Sequence, residues 1–326
     1  MAKYISPEEW LSRMRKEYLQ DFIRQGGAAV KFVVPVDSIA HEQIRAGLQG
    51  AANDGGFHFA FVDAATTKLH MVDKLFHQVA QQIDWDGLAY SFLCRTLAEP
   101  YKLPAERAQF GLQQIALLNN GLNENRLRTE INSQLEKALF RDYAMSQEFR
   151  IAMLHLCMAQ LNPSEVNPDL RDTVKEWLRG ELGHIAALKP ALIFQKIGRH
   201  NARHILFSLA HWLKLAGRSG LVIVLDITRY IEGTRPKEPD GTLYYSAPAL
   251  LECYEVLREF IDSTDELEYS FICVIAPPAF VNEDERRGLW AYDALRLRIW
   301  DEVQDKRLMN PLSTLVRISQ DGNTQN

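Results

Sequence analysis

The sequence predicts an α/β protein built on a five-stranded, mainly parallel sheet, with a large all-helical insertion between strands 2 and 3. Three observations point there. Five short apolar runs, 28–34, 57–63, 220–226, 269–276 and 313–319, read as strands. Helical patterns separate them, and strands joined by helical crossovers pair in parallel and need cover on both faces. Between the second and third runs lie roughly 150 residues whose apolar spacing is helical.

Taken in order, Ser6-Pro7-Glu8-Glu9 opens the first helix, with Ser6 as N-cap, Pro7 in the first turn and Glu9 reaching back in a capping box. Trp10, Leu11, Met14, Tyr18, Phe22 and Ile23 form its apolar stripe, and Gly26-Gly27 ends it. Trp10, Tyr18 and Phe22 at this spacing read as core or interface rather than as a base-stacking platform. A helix over 39–50 follows the first strand. In the middle stretch, breaks at Pro100, Pro104, Gly121, Pro163, Pro168 and Pro190 delimit helices over 69–83, 106–119, 124–140, 146–160 and 170–182. No repeat period emerges, so a solenoid is not supported. A helix over 202–216, capped by Gly217, leads into the third strand. Beyond it come a polar loop over 231–241 that reads as a mobile surface segment, a helix over 247–262, the fourth strand, a helical stretch through Trp300, the fifth strand and a frayed tail over 320–326. The domain organisation is then 1–85 for the N-terminal helix and first half of the core, 86–200 for the helical insertion, and 201–326 for the second half of the core.

Composition narrows the class. With 326 residues, 47% hydrophobic and 24% charged, the chain has the make-up of a globular protein. A formal charge of −5 gives no global nucleic-acid footprint, although a local basic face is compatible with it. Cys94, Cys157, Cys253 and Cys273 are widely spaced with no C-x-x-C pair, which argues for buried reduced thiols over a zinc cluster or a disulfide framework. Met1-Ala2-Lys3-Tyr4 lead straight into a polar helix, and no apolar run approaches the about 20 residues of a membrane span. A cytoplasmic protein is expected.

The first strand, its loop and its helix have the setting of a P-loop, and Gly220-Leu221-Val222-Ile223-Val224-Leu225-Asp226 has the form of a Walker B strand. The P-loop pattern G-x-x-x-x-G-K-[ST] wraps backbone N–H groups around phosphates, places a lysine on the β/γ-phosphates and offers a hydroxyl to Mg²⁺. Here it reads Pro35-Val36-Asp37-Ser38-Ile39-Ala40-His41-Glu42. Pro35 and Ala40 stand at the glycine positions, His41 at the lysine and Glu42 at the hydroxyl. Pro35 has no N–H, Asp37 and Glu42 repel phosphate, and a histidine at its ordinary pKa is largely neutral at pH 7.

The order of these parts resembles the P-loop ATPases of the AAA+, origin-recognition and STAND kind, so the sheet is expected to be P-loop-NTPase-like. Within that class the chain is similar to the BrxD-like ATP-binding proteins of bacteriophage-exclusion (BREX) systems. Residues 26–34 resemble that family's lead-in to its P-loop, and Val174-Lys175-Glu176-Trp177-Leu178-Arg179-Gly180-Glu181 its W-L-R-G-E segment. Pro277-Pro278-Ala279-Phe280, Arg287-Gly288 and residues 292–299 resemble its post-sensor region. Against that pattern, the second Walker B acid falls on Ile227 and the polar sensor within Ala276-Pro277-Pro278. No C-terminal lid or winged-helix domain is expected after the fifth strand. Phosphoryl transfer depends on such parts for positioning and charge neutralisation, so the resemblance implies an ATPase-like scaffold that has lost hydrolysis.

The candidate site is therefore a degenerate nucleotide site of Pro35, Ala40, His41, Glu42, Asp226 and Ile227, with no catalytic residue and no cofactor expected. Asp226 at a strand's C-terminal edge could hold Mg²⁺ if ATP-Mg binds; the plainer role is to cap a neighbouring loop. Arg296 and Arg298 are candidates for an arginine finger or sensor, with ordinary ion pairs as the alternative. His200 and His204 share the i,i+4 spacing of a metal pair, with His211 two turns on, but lack an intervening acid or an obvious third ligand. Arg199, His200, Arg203, Lys214 and Arg218, with Arg286 and Arg287, form a basic cluster able to meet DNA phosphates or simply face solvent. The function expected is a catalytically inactive, pseudo-ATPase subunit of a prokaryotic anti-phage defence or DNA-modification assembly. It would bind a protein partner (an active ATPase, nuclease or modification enzyme) and DNA through the basic cluster. An atypical ATPase using Asp226 for Mg²⁺ and a DNA-binding module without nucleotide are the alternatives.

Overall fold

The computed structural model describes residues 4–162, 168–232, 241–300 and 310–320. Five strands, β1 (Ala28–Pro35), β2 (His58–Asp63), β3 (Leu221–Asp226), β4 (Ser270–Ile275) and β5 (Leu315–Ile318), form one sheet of order β2-β3-β4-β1-β5. Every pairing is parallel, where the sequence suggested mainly parallel. The helices are α1 (Pro7–Met14), α2 (Ser38–Asp54), α3 (Val72–Gln81), α4 (Trp85–Leu97), α5 (Leu112–Leu118), α6 (Glu124–Leu135), α7 (Gln147–Leu161), α8 (Pro168–Arg179), α9 (Ala202–Leu215), α10 (Thr228–Ile231), α11 (Ala247–Asp262) and α12 (Asp293–Ile299).

The chain divides into two compact units, Met1–Val79 with Ser219–Asn326 and Ala80–Arg218. The first holds the sheet. Residues of β3 and β4 are buried throughout, as expected of parallel strands covered on both faces, which read as continuous apolar runs rather than alternations. One face packs against α1 and α2 through Trp10, Met14, Ile44 and Leu48 on Val33, Val224 and Phe271. On the other, the Phe32 ring stacks on Phe280 with centroids 6.3 Å apart, and Tyr254 of α11 meets Phe280 edge-on. Ser6 caps α1 by accepting the Glu9 N–H, and the helix runs on through a π-helical stretch to Phe22 before Gly26 stops it at φ +105°. Trp10 is fully buried, Tyr18 half-buried and Phe22 exposed with its ring against Tyr18, so the aromatic stripe is core only in part.

The second unit is all helical. Its core includes Trp85, Phe149, Trp177 and Trp212. Two sequence expectations are corrected here. The helix expected over 106–119 is broken: a 3₁₀ turn at Arg107–Gln109 and α5 are separated by Phe110 and Gly111. The helical stretch expected up to Trp300, in the first unit, resolves into 3₁₀ turns at Pro278–Val281 and Leu289–Ala291 followed by the short α12. Most of the polar loop, 233–240, and the tail beyond 320 lie outside the described residues; Ile231, at the loop's start, ends α10. Cys157, Cys253 and Cys273 are buried free thiols, while Cys94 is half-buried. Among the described residues no helix is long and apolar enough to cross a membrane.

Candidate functional site

In open α/β sheets, ligands sit outside the carboxyl ends of the strands. There the structure brings together β1, α2 and β3. Only Val36 and Asp37 separate β1 from α2. The connection is a tight step rather than a wrapped loop, and Ala40 and His41 fall in the first helical turn. Pro35 is the last residue of β1, opposite Ile318. The N–H groups of a helix's first turn, with the macrodipole behind them, form a ready anion site. Here Asp37 fills that role internally: its Oδ1 accepts the Ala40 N–H at 2.7 Å, and its backbone carbonyl accepts the His41 N–H at 3.1 Å. The anion is supplied by the protein itself.

His41 turns inward. Its Nε2 lies 2.7 Å from Asp226 Oδ2, linking positions 185 residues apart. Asp226 is buried, and its Oδ1 accepts the Thr228 N–H at 2.9 Å, two residues on at the start of α10. Burial alone would raise the Asp226 pKa, but hydrogen bonds from His41 and Thr228 hold it below the usual carboxylate value. The same bond to Asp226 raises the His41 pKa against the opposing effect of burial. His41 is thus not an ordinary histidine: its carboxylate partner shifts it toward imidazolium.

Glu42, at the hydroxyl position, is exposed and bonds Arg45 instead. Ile227 is fully buried and donates its N–H to the Ile275 carbonyl, so no second acid stands beside Asp226 along β3. A different acid does: Asp63 ends β2 in register with Asp226. Its pKa is raised by burial and by the Asp226 charge, while the Ala65 N–H, 2.7 Å from Oδ1, pulls it back. The sequence carried a signal for Asp63, an apolar strand ending in Asp like β3, but nothing in it shows the register.

The remaining candidates lie elsewhere. Arg296 pairs with Asp293 three residues away at 3.0 Å and Arg298 with Asp262 of α11 at 2.5 Å, both exposed or half-buried pairs. Arg287 donates to the backbone carbonyls of Tyr230 (2.7 Å) and Tyr245 (3.0 Å). In the helical unit His200 lies in the turn before α9, where its Nε2 is 3.4 Å from Gln195 Oε1, so His200 and His204 do not share a helix face. His211 pairs with Asp142 at 2.8 Å. Among the described residues no group of three or more His, Cys, Asp or Glu side chains is placed to hold a metal ion. Arg199 and Arg218 are exposed, Arg203 and Lys214 half-buried.

A parallel sheet carrying a Walker B-form strand, with one strand between it and a strand–loop–helix, defines an ATPase-like α/β protein. The family model of the BREX system ATP-binding protein BrxC/D matches residues 110–321. That is more than half of the chain, and the chain belongs to this family. The match takes in β3, Asp226 and β4 but begins after β1, α2 and the Pro35–Glu42 positions. Neither the curated proteins nor the solved structures yielded a match.

Proposed function

We propose that this chain is an ATPase-like subunit of a bacteriophage-exclusion defence assembly that does not hydrolyse ATP and acts by binding other components. The observation that carries the reading is that both ligand-holding features of the site are already engaged from within. Asp37 takes the N-terminus of α2, and His41 takes the Asp226 carboxylate that would meet Mg²⁺. Phosphates approaching α2 would meet Asp37 and Glu42, and no lysine stands in their place. Family membership supports the defence setting and a multi-protein context. The partner is proposed to be a catalytically competent ATPase, nuclease or modification enzyme, with DNA reached through Arg199, Arg203, Lys214 and Arg218.

The test is calorimetric titration with ATP-Mg²⁺ and ADP-Mg²⁺. Neither nucleotide should bind at millimolar concentration. A second reading, an atypical ATPase, is favoured by the family's description as ATP-binding. It requires His41 to release Asp226. Saturable ATP-Mg²⁺ binding that is lost in Asp226→Ala would establish it and overturn the first.

A further inference from the structure

A cavity of about 250 Å³ opens at the carboxyl ends of β4, β1 and β5, beside the blocked P-loop position. Its floor is apolar: Val34 and Val36 at the end of β1, and Pro278 and Val281 from the turn after β4. Its polar groups are Arg317, Asn282 and Tyr4. Arg317 stands opposite Val34 in the β1–β5 register and is half-buried. Among the described residues no carboxylate pairs with its guanidinium. Asn282 Oδ1 accepts the Asp284 N–H at 3.2 Å, and its NH₂ is a donor group at the cavity's edge. Arginine and an amide NH₂ only donate. Such a set matches an acceptor-rich group, and a planar guanidinium fits carboxylate or phosphate oxygens in pairs.

Two further observations narrow the ligand. The space lies below the roughly 300–1,000 Å³ usual for small-molecule sites, too small for a nucleoside triphosphate. Glu283, Asp284 and Glu285 follow Asn282 directly, and their charge disfavours a polyanion while a single Arg317–anion pair stands against it. We propose that this cavity binds a compact, singly charged anion, a carboxylate, whose apolar group of a few carbons lies on Val34, Val36, Pro278 and Val281. The site goes beyond the defence reading and does not depend on it.

N-acetyl-leucine, its uncharged amide, inorganic phosphate and a short peptide ending in leucine serve as probes, titrated into the full chain by calorimetry. The acid should bind saturably and compete with phosphate. The amide should bind about tenfold more weakly or less, the loss expected when one charge-assisted contact is removed. Arg317→Gln should weaken the acid by a similar factor and Arg317→Lys by less. Asn282→Asp, an exposed change that sets a carboxylate beside Arg317, should abolish binding and guards against a folding defect in the arginine variants. A peptide that binds much more tightly than N-acetyl-leucine identifies the ligand as the chain end of a partner; equal affinity identifies a free small acid. Absence of saturable acid binding at millimolar concentration, or binding unchanged in both Arg317→Gln and Asn282→Asp, overturns the proposal.

Discussion

His41 Nε2 lies 2.7 Å from Asp226 Oδ2, so a side chain in the first turn of α2 is tied to the acid that ends β3. The pair has a defined pH signature. The His41 pKa is raised on folding, so its stabilising contribution is full below its unfolded value of about 6.5 and fades as pH rises through the folded value. The Asp226 pKa is lowered, so its contribution is present above about 3.9 and disappears as pH falls through the folded value. The pair therefore stabilises most between the two. His41→Gln should lose about 2 kcal/mol at pH 6, a charge-assisted bond's worth with Asp226 left buried. The deficit should shrink as pH rises toward 9. Urea denaturation of both proteins across that range measures it; a deficit independent of pH would mean that His41 acts only by packing.

Asp37 makes a separate claim on α2. Its carboxylate caps the helix through the Ala40 N–H. Asp37→Ala should lose about 1 kcal/mol, and Asp37→Ser should recover most of it, because either side chain can accept that N–H. The change also frees the helix N-terminus. Phosphate should raise the midpoint of Asp37→Ala in denaturant more than that of the parent chain.

Much of the scaffold was legible in the sequence, and the reason is physical. Parallel strands buried on both faces appear as unbroken apolar runs, so 28–34 and 220–226 announced β1 and β3, and Ser6 and Gly26 marked the ends of the first helical segment. Helix α4 (Trp85–Leu97) was not singled out: its start depends on Asp84 accepting the Gly87 N–H, a weak local signal within a uniformly helical stretch. The departures of residues 35–42 from the P-loop pattern are a matter of residue type alone. What these residues do in the fold was not legible. That His41 reaches Asp226, and that Asp63 stands level with Asp226, depend on pairings far apart in sequence. His200 failed as a helical residue because Asn201, not His200, adjoins the start of α9.

Lys31 sits on the core-facing side of β1, 6% exposed, donating to the Leu312 carbonyl at 2.6 Å and lying 4.8 Å from the Tyr18 ring centroid. Burial pushes its pKa down to about 8. Between that value and the unfolded value of about 10.4 the unfolded chain holds more protons, so this group's penalty on folding is largest below pH 8 and falls as pH rises. Lys31→Met keeps the stem's packing and removes the buried charge. It should stabilise by about 1–2 kcal/mol at pH 7, after allowing for the lost hydrogen bond. The advantage should narrow at pH 9.5, as paired melts at the two pH values would reveal.

The start of the sheet depends on one glycine. Gly220, immediately before β3, has φ +142°, and a Cβ there would lie 2.2 Å from the Tyr269 carbonyl oxygen, a backbone atom fixed by the Leu221 N–H. Tyr269 is itself held at φ +56°, and Gly220 also accepts the His58 N–H at 2.9 Å. The entries to β2, β3 and β4 thus meet at a point with no space for a side chain. Gly220→Ala should cost more than about 3 kcal/mol, the sum of a glycine-only backbone conformation and a clash that neither strand can relieve alone. Gly50, inside α2, is the contrasting case: nothing lies within 4 Å of its added Cβ. Gly50→Ala should stabilise by about 0.5–1 kcal/mol through helix propensity. Denaturant midpoints of the two variants should move in opposite directions. A tolerated alanine at 220 would show that the β3 and β4 entries can separate without loss of the sheet.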